Sequence, residues 1–199
     1  MPVRPKPLAL TLISICLAGL VWIVQPSVIA AAAPQLPSQQ SLAPFVPTPQ
    51  EVVERMLELA AVTKNDVVYD LGCGDGRIVI TAAKKYGARG VGVDLDPERI
   101  AESKANAEKA GVAKLVEFRL QDAMTVDVSP ATVVTLYLLT ASNLKLKPIL
   151  TRQLKPGARI VSHAFSMGDW PPEKDEEFRD ANGIRRRLMV WKADGKVRQ

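Results

Sequence analysis

Short apolar runs alternate with amphipathic segments along most of the chain, and this pattern predicts its secondary structure. Five runs have the length of strands, and the first of them is predicted to be buried. They are residues 67–71, 90–94, 116–120, 133–138 and 158–164. Segments with a helical spacing of apolar positions lie at residues 48–61, 77–86, 97–110 and 143–153. Such alternation is typical of a parallel sheet that helices cover on both faces.

The carboxyl-terminal part of the chain has a different pattern. Residues 176–181 and 187–192 are predicted to be two strands, joined by a hairpin turn at Asn182 and Gly183. An antiparallel pair fits the edge of an otherwise parallel sheet. The predicted fold class is therefore α/β: a Rossmann-like, doubly wound, mostly parallel sheet with a C-terminal antiparallel hairpin, preceded by a hydrophobic N-terminal helix.

The first 33 residues are predicted to be a membrane anchor or a signal peptide. Two basic residues precede an apolar run at 8–24, and a helix of that length spans ~26 Å. That is short for a bilayer crossing and slightly long for a signal-peptide core. Cleavage after Ala30 or Ala32 would satisfy a signal peptidase. An uncleaved anchor would keep the basic residues cytoplasmic and place the domain across the membrane. Both alternatives, and the side that the domain faces, stay open at this stage.

A proline-rich linker is predicted at 34–44, and the folded domain at 45–199. Prolines with Ser and Gln favour an extended chain in the linker. The first helix of the domain has three start signals. Thr48 is predicted to cap it, Pro49 to occupy its first position, and Glu51 to complete a capping box.

The composition indicates one globular domain with an extension. The chain is 47% hydrophobic and 24% charged, with a net charge of +5 and a pI near 9.3. Its densest basic run, at 185–187, lies beside a predicted strand, so we interpret it as a solvated edge and expect no nucleic-acid partner. Cys16 and Cys73 are not expected to form a disulfide, and one histidine without a C-x-x-C pair predicts no metal site.

A glycine-rich turn follows the first predicted strand and carries the strongest functional signal. It contains Asp70, Gly72, Gly74, Asp75 and Gly76. Glycines permit positive φ and let a ligand approach bare backbone. The spacing is neither G-x-G-x-x-G nor a phosphate loop ending in G-K-[ST], and the two aspartates would repel a pyrophosphate. S-adenosylmethionine has no phosphate and carries a sulfonium and an ammonium, so this charge pattern favours it as the cofactor.

Further acidic residues follow the second and third strands. Asp94 ends the second strand, where a carboxylate accepts hydrogen bonds from ribose hydroxyls. Leu95 beside it is predicted to cover the adenine face. Asp122 follows the third strand and is predicted to accept from the adenine amino group. The carboxylates at three successive strand ends support the same cofactor.

These motifs resemble those of class I S-adenosylmethionine-dependent methyltransferases. Residues 70–76 look like motif I, and residues 92–96 look like the post-I element that follows it. Residues 121–123 resemble the adenine-binding position, and residues 154–158 resemble the turn before strand five. The resemblance covers roughly residues 45–192 and implies the Rossmann-like fold and the methyl-transfer activity of that class.

A narrower resemblance is to the mitochondrial-type protein-lysine methyltransferases that modify an ATP synthase subunit. It rests on Pro47-Thr48-Pro49 before a Val-Val-x-x-Met-Leu helix, and on the run from Asp70 to Val79. Those enzymes also place a hydrophobic segment ahead of the domain. The resemblance implies a lysine as the methyl acceptor, and it is looser in the carboxyl-terminal half.

The acceptor side carries fewer signals. An acceptor is expected over the end of strand four, where the Asn- or Asp-Pro-Pro-Tyr signature of enzymes that methylate nucleic acids and glutamine is absent from the sequence. Tyr137 is the candidate acceptor-side residue, and His163, at the end of strand five, is the candidate base. Each is also compatible with a structural role.

The sequence is compatible with three functions. The first is a membrane-anchored methyltransferase that acts on a protein, with lysine as the candidate acceptor. The second is a small-molecule or lipid methyltransferase at the membrane. The third is a non-enzymatic module that binds S-adenosylmethionine.

Overall fold

The structure is a computed structural model, and it describes residues 42–199. The hydrophobic segment at 1–33, Cys16, and residues 34–41 of the predicted linker lie outside the described residues. Within residues 42–199, none of the helices is both long and apolar enough to cross a bilayer.

Four helices and seven strands make up the described part of the chain. The helices are α1 (Gln50–Leu59), α2 (Arg77–Tyr86), α3 (Pro97–Lys109) and α4 (Thr140–Gln153). The strands are β1 (Val67–Leu71), β2 (Arg89–Asp94), β3 (Val116–Leu120), β4 (Val133–Leu136), β5 (Arg159–His163), β6 (Lys174–Arg179) and β7 (Arg185–Lys192).

All seven strands form one sheet in the order β3-β2-β1-β4-β5-β7-β6. The first five are parallel to one another, and β7 pairs antiparallel with both β5 and β6. The strand order reverses between β1 and β4, which is where an open α/β sheet forms a crevice. The predicted fold class is confirmed for the described residues.

Two apolar cores lie on opposite faces of the sheet, because side chains alternate along each strand. Val133 packs with α1 and α2 on one face, and its neighbour Val134 packs with Leu146 and Leu150 of α4 on the other. This two-sided burial explains why the central strands β1 and β4 are buried along nearly their whole length, whereas the edge strand β3 alternates and carries Glu117 and Arg119.

The start of α1 differs from the prediction. The helix begins at Gln50 with Pro49 as its N-cap, and no side chain caps it. Thr48 is buried, and its carbonyl accepts a hydrogen bond from Arg77 Nη1 at 2.8 Å. Glu51 accepts from the backbone N–H of Ala181 instead of closing a capping box. Tertiary contacts therefore replace the local capping that the sequence suggested.

Other element boundaries shift by a few residues. The fourth strand ends at Leu136, two residues earlier than predicted, and α4 begins at Thr140, three residues earlier. Pro148 lies inside α4 without ending it. The strands of the hairpin each begin two residues earlier than expected, and Gly183 takes a positive φ of 76° in the predicted turn.

The arginine run at 185–187 lies on β7 and is paired with acidic residues. Arg187 Nη2 lies 2.6 Å from Asp175 Oδ2 across the hairpin, and Arg186 Nη2 lies 2.7 Å from the buried carboxylate of Asp180. These ion pairs neutralise the run, in line with its interpretation as a solvated edge.

Candidate functional site

A cavity of about 350 Å³ opens at the carboxyl ends of β1, β2, β3 and β4. This volume lies within the ~300–1,000 Å³ typical of small-molecule sites. Most of the predicted site residues line it: Asp70, Gly72, Gly74, Asp75, Asp94, Leu95, Asp122 and Tyr137. Gly76 and His163 lie outside the lining. The strand reversal therefore brings together residues that are far apart in the sequence, from Asp70 to Tyr137.

The glycine-rich turn is held by backbone bonds and needs its glycines. Gly72, Gly74 and Gly76 have φ of 84°, 51° and 79°, values that side-chain-bearing residues rarely adopt. The N–H groups of Gly72 and Cys73 both donate to the carbonyl of Val93, at 2.9 Å each. The turn is thus fixed against the end of β2.

Side chains of the protein itself pack against part of the bare glycine backbone. A Cβ at Gly74 would clash with the Phe45 ring, and one at Gly76 would lie 2.7 Å from the Phe118 ring. Gly76 therefore serves ring packing beneath the turn, and its predicted place against a cofactor is not seen. A Cβ at Gly72 would lie 3.0 Å from the Leu138 side chain.

Asp94 stands at the centre of the site. One of its carboxylate oxygens accepts from Gly74 N at 2.8 Å, and the other accepts from Asp96 N at 3.0 Å. These bonds fix the carboxylate while it stays partly exposed in the cavity. Each oxygen keeps a further lone pair, so the group fits a pair of ribose hydroxyls.

Asp75 differs from its predicted role as a free carboxylate near a cationic ligand. Its side chain is paired with Arg77, with Nη2 2.5 Å and Nε 2.9 Å from the two carboxylate oxygens. Burial opposes ionisation, but the hydrogen bonds and charge of Arg77 hold the pKa of Asp75 below its ordinary value. Its charge is therefore already matched within the protein, and it stabilises the turn.

Asp70 is buried and stays without a cationic partner among the described residues. Burial, and then the charges of Asp94 and Asp75, raise its pKa to about 7, against the effect of a 2.7 Å hydrogen bond that Thr135 donates. Burial and the charge of Asp70 also raise the pKa of the Cys73 thiol, which is free and buried. A cation in this cavity would favour ionised Asp70.

Asp122 and Leu95 also line the cavity. Asp122 Oδ1 accepts from Met124 N at 2.8 Å, which fixes the carboxylate at the cavity wall. Leu95 lies on the turn between Asp94 and Asp96, at the start of α3. Both residues line the cavity, and their contact with an adenine stays a prediction.

The sequence analysis missed one wall of the site, which residues 42–48 form; we call them the N-terminal strap. Ser142 Oγ donates to the carbonyl of Leu42 at 2.6 Å, and Arg77 ties the other end of the strap through Thr48. Between these ties the Phe45 ring lies on Gly74 and 4.8 Å from the Arg99 guanidinium. Leu42, which the sequence placed in the linker, lines the cavity. The proline content of the strap suggested a linker and concealed this role.

On the acceptor side, Tyr137 lines the cavity and stacks on His163 with ring centroids 4.0 Å apart. His163 is only 1% exposed, and its Nδ1 has no hydrogen-bond partner among the described residues. Burial, and then the charge of Arg186, lower its pKa to about 4. His163 is therefore neutral at neutral pH and lies behind Tyr137, so the geometry gives it no direct contact with an acceptor. The sequence analysis also missed Phe165, whose ring lies 6.2 Å from that of Tyr137.

The residues of the cavity fit S-adenosylmethionine. Asp94 is placed to accept from hydroxyl groups, and Asp70 favours a cation. The two arginines of the lining, Arg77 and Arg99, are already paired with Asp75 and Glu102, so the lining does not favour a phosphate. Fold and site together define a class I S-adenosylmethionine-dependent methyltransferase.

Comparison with known proteins gives the family. Residues 70–174 match the model of the ANTKMT methyltransferase domain, and the chain belongs to this family of S-adenosylmethionine-dependent enzymes. It is 51% identical over 140 residues to a protein-lysine N-methyltransferase of Saccharolobus islandicus, covering 70% of this chain and 87% of that protein. It is 33% identical over 159 residues to a human lysine N-methyltransferase named for an ATP synthase subunit, covering 79% of this chain and 67% of that one.

A solved structure is similar over the whole domain. The RNA methyltransferase from Salinibacter ruber, in complex with S-adenosylhomocysteine, has a TM-score of 0.72 and 52% identity, covering 77% of this chain and 97% of that one. S-adenosylmethionine is thus the cofactor of this family, as the sequence predicted.

Proposed function

We propose that this enzyme transfers methyl groups from S-adenosylmethionine to lysine side chains of a protein. The observation that carries the proposal is the 51% identity to a protein-lysine N-methyltransferase, since the match covers 87% of that relative. The human relative, named for lysine methylation of an ATP synthase subunit, supports the same acceptor chemistry.

The residues at the cofactor end of the site bind and orient S-adenosylmethionine. Asp94 would hold the ribose hydroxyls of S-adenosylmethionine, and Asp122 and Leu95 would hold its adenine. Ionised Asp70 would balance the positive charge of the cofactor. When bound, S-adenosylmethionine supplies an electrophilic methyl carbon on its sulfonium. The protein then mainly has to align a nitrogen with that carbon, and such orientation accounts for ~7–11 kcal/mol of barrier lowering in well-aligned systems.

The acceptor nitrogen has to arrive neutral, because a protonated lysine has no lone pair. In the transfer the C–N bond forms as the C–S bond breaks, and the amine then loses a proton. Tyr137 lines the cavity at the end of β4 and is the side chain placed to guide the nitrogen. His163 is buried behind it, so we propose that it orients the Tyr137 ring and that the proton leaves to solvent.

An RNA acceptor is the second candidate, because the similar Salinibacter ruber structure is named as an RNA methyltransferase. Against it, the basic run at 185–187 is neutralised by acidic partners in the hairpin. A small-molecule or lipid acceptor is the third candidate.

One experiment separates the three. The full-length chain is incubated with methyl-labelled S-adenosylmethionine and a cell extract, which is then separated into protein, RNA and lipid. We expect the label in protein, as methyl-lysine after hydrolysis. Label in RNA or lipid alone would refute the lysine proposal and leave the methyltransferase assignment intact.

We also propose that residues 8–24 attach the enzyme to a membrane or direct its export. The support is the length and apolar character of that run behind two basic residues. Alkaline washing of membranes tests the attachment: an anchored chain stays with the pellet, and a cleaved chain appears in the supernatant at the smaller mass. A full-length chain in the supernatant would contradict both forms of the proposal.

A further inference from the structure

The turn that follows β5 has an unusual backbone. Ala164 has a φ of 67°, and Phe165 N donates to the carbonyl of His163 at 2.9 Å. A hydrogen bond across three residues with a positive φ at the middle one is a γ-turn of the rare, strained form. Such strain persists only where surrounding contacts enforce it, and it is concentrated at functional sites.

Several contacts enforce this turn. Ser162 Oγ donates to the carbonyl of Phe165 at 2.6 Å, and the Asn143 side-chain amide donates to the same carbonyl at 3.0 Å. Ala164 N donates to the carbonyl of Arg187 on β7 at 2.8 Å. Asn143 is fully buried. The start of α4 and the edge hairpin therefore both fix Phe165.

A second tie holds the rest of the loop. Lys147, on α4, is 4% exposed, and its Nζ lies 2.6 Å from Asp169 Oδ1. Two buried polar atoms near the turn, Asn143 Oδ1 and His163 Nδ1, have no hydrogen-bond partner in the described part of the chain. Unpaired buried polar atoms are rare in native proteins, so this region, like the strained turn, is not optimised for stability alone.

The outcome of these contacts is the position of one aromatic ring. Phe165 is half-buried, lies outside the cavity lining, and is tilted by 31° against Tyr137, which itself lines the cavity. We propose that Phe165 is a substrate-binding residue: with Tyr137 it forms an aromatic wall that binds the alkyl stem and nitrogen of the acceptor lysine.

The chemistry of a lysine fits such a wall. Aromatic faces attract ammonium groups, including methylated ones, and they pack well against an alkyl stem. The wall would therefore hold the acceptor before it loses its proton and after it gains a methyl group. This inference rests on the proposed lysine specificity and adds a residue that determines acceptor affinity.

The test is steady-state kinetics of the full-length chain in mild detergent. The acceptor is a synthetic peptide that carries a lysine methylated by the wild-type enzyme in cell extract. Phe165→Leu keeps the apolar volume and removes the aromatic face, and Phe165→Tyr keeps both. Calorimetric titration with S-adenosylhomocysteine measures cofactor binding for each variant.

We expect Phe165→Leu to raise KM for the peptide about 10-fold and to leave the cofactor Kd within twofold of wild type. Phe165→Tyr should keep KM within threefold of wild type. An unchanged KM in Phe165→Leu would overturn the inference, and so would a cofactor Kd that rises in parallel with KM. If the wild-type enzyme labels no lysine at all, the proposed function fails, and this inference fails with it.

Discussion

The two halves of the site work by different physical means. The cofactor half, at the ends of β1, β2 and β3, uses glycines and carboxylates, with Asp94 held by backbone N–H groups. The proposed acceptor half, at the ends of β4 and β5, has stacked rings and a strained turn at Ala164. In the proposed assignment, charge complementarity selects the cofactor, whereas fixed ring positions shape the acceptor site.

The largest expected effect is a pH dependence from Asp70. Its pKa is about 7 in the folded protein and about 3.9 in an unfolded chain. Between these two values the folded state keeps a proton on Asp70 that the unfolded state loses. The free energy of unfolding therefore falls as pH rises from about 4 through 7. By this shift, ionisation of Asp70 costs up to about 4 kcal/mol.

The check is urea unfolding of residues 42–199, the part of the chain that the structure describes, across this pH range. Asp70→Asn should be more stable than wild type at pH 8, and its free energy of unfolding should fall much less as pH rises. His163 acts in the opposite direction, since its lowered pKa costs stability below about pH 6.5. Above pH 6.5 only the last part of the Asp70 decline remains, and His163 does not contribute there, so an equal slope in Asp70→Asn between pH 6.5 and 8 would refute the assignment of Asp70.

Asp94→Ala should weaken cofactor binding about 100-fold, because hydrogen bonds to a charged group contribute ~1.5–3 kcal/mol each. Isothermal titration with S-adenosylhomocysteine measures the change. Asp127→Ala is the matched control, since that carboxylate also accepts from a backbone N–H, at 2.9 Å, and lies outside the cavity. Equal affinities for the two variants would contradict the role of Asp94.

In the acceptor half, Ala164→Val should lower the free energy of unfolding by about 2 kcal/mol, because a β-branched residue resists the positive φ. Ala164→Gly should change it by less than about 1 kcal/mol, since glycine accepts this φ at an entropic cost in the unfolded chain. Urea denaturation compares them. Similar losses in both would show that the turn is not strained.

The smallest expected effect concerns the N-terminal strap. Phe45→Ala removes the ring from Gly74 and from the Arg99 guanidinium. The contact of the ring with Arg99 contributes ~0.5–2 kcal/mol and holds the strap against the cavity. We therefore expect a roughly 10-fold weaker cofactor affinity. Leu120→Ala, an exposed apolar residue outside the cavity, is the control. A Phe45→Ala affinity equal to that of Leu120→Ala would show that the strap is no part of the cofactor site.

Much of the cofactor half was predictable, because its signals are local in the sequence. Gly72, Gly74 and Asp94 are close to strand ends, and the parallel order of strands brings such ends to one edge. The pairing of Asp75 with Arg77 was not predictable, since it depends on side-chain direction. Phe45 was missed because it lies in a proline-rich stretch that is held by hydrogen bonds to Ser142 and Arg77, far away in the sequence.

The acceptor half was harder to predict for a related reason. A single tyrosine and a single histidine have no spacing rule that distinguishes a site from a core. The strain at Ala164 has no sequence signal, because alanine rarely adopts a positive φ. Phe165 acquires its position from Asn143 and Ser162, which lie on other elements.

The most direct test is mass spectrometry of an acceptor protein after incubation with the full-length enzyme and S-adenosylmethionine. The account predicts methylated lysine with wild-type enzyme and, at a cofactor concentration below the Kd of the variant, almost none with Asp94→Ala. Methylation of RNA, lipid or another amino acid without methyl-lysine would contradict it, as would equal lysine methylation by the two enzymes.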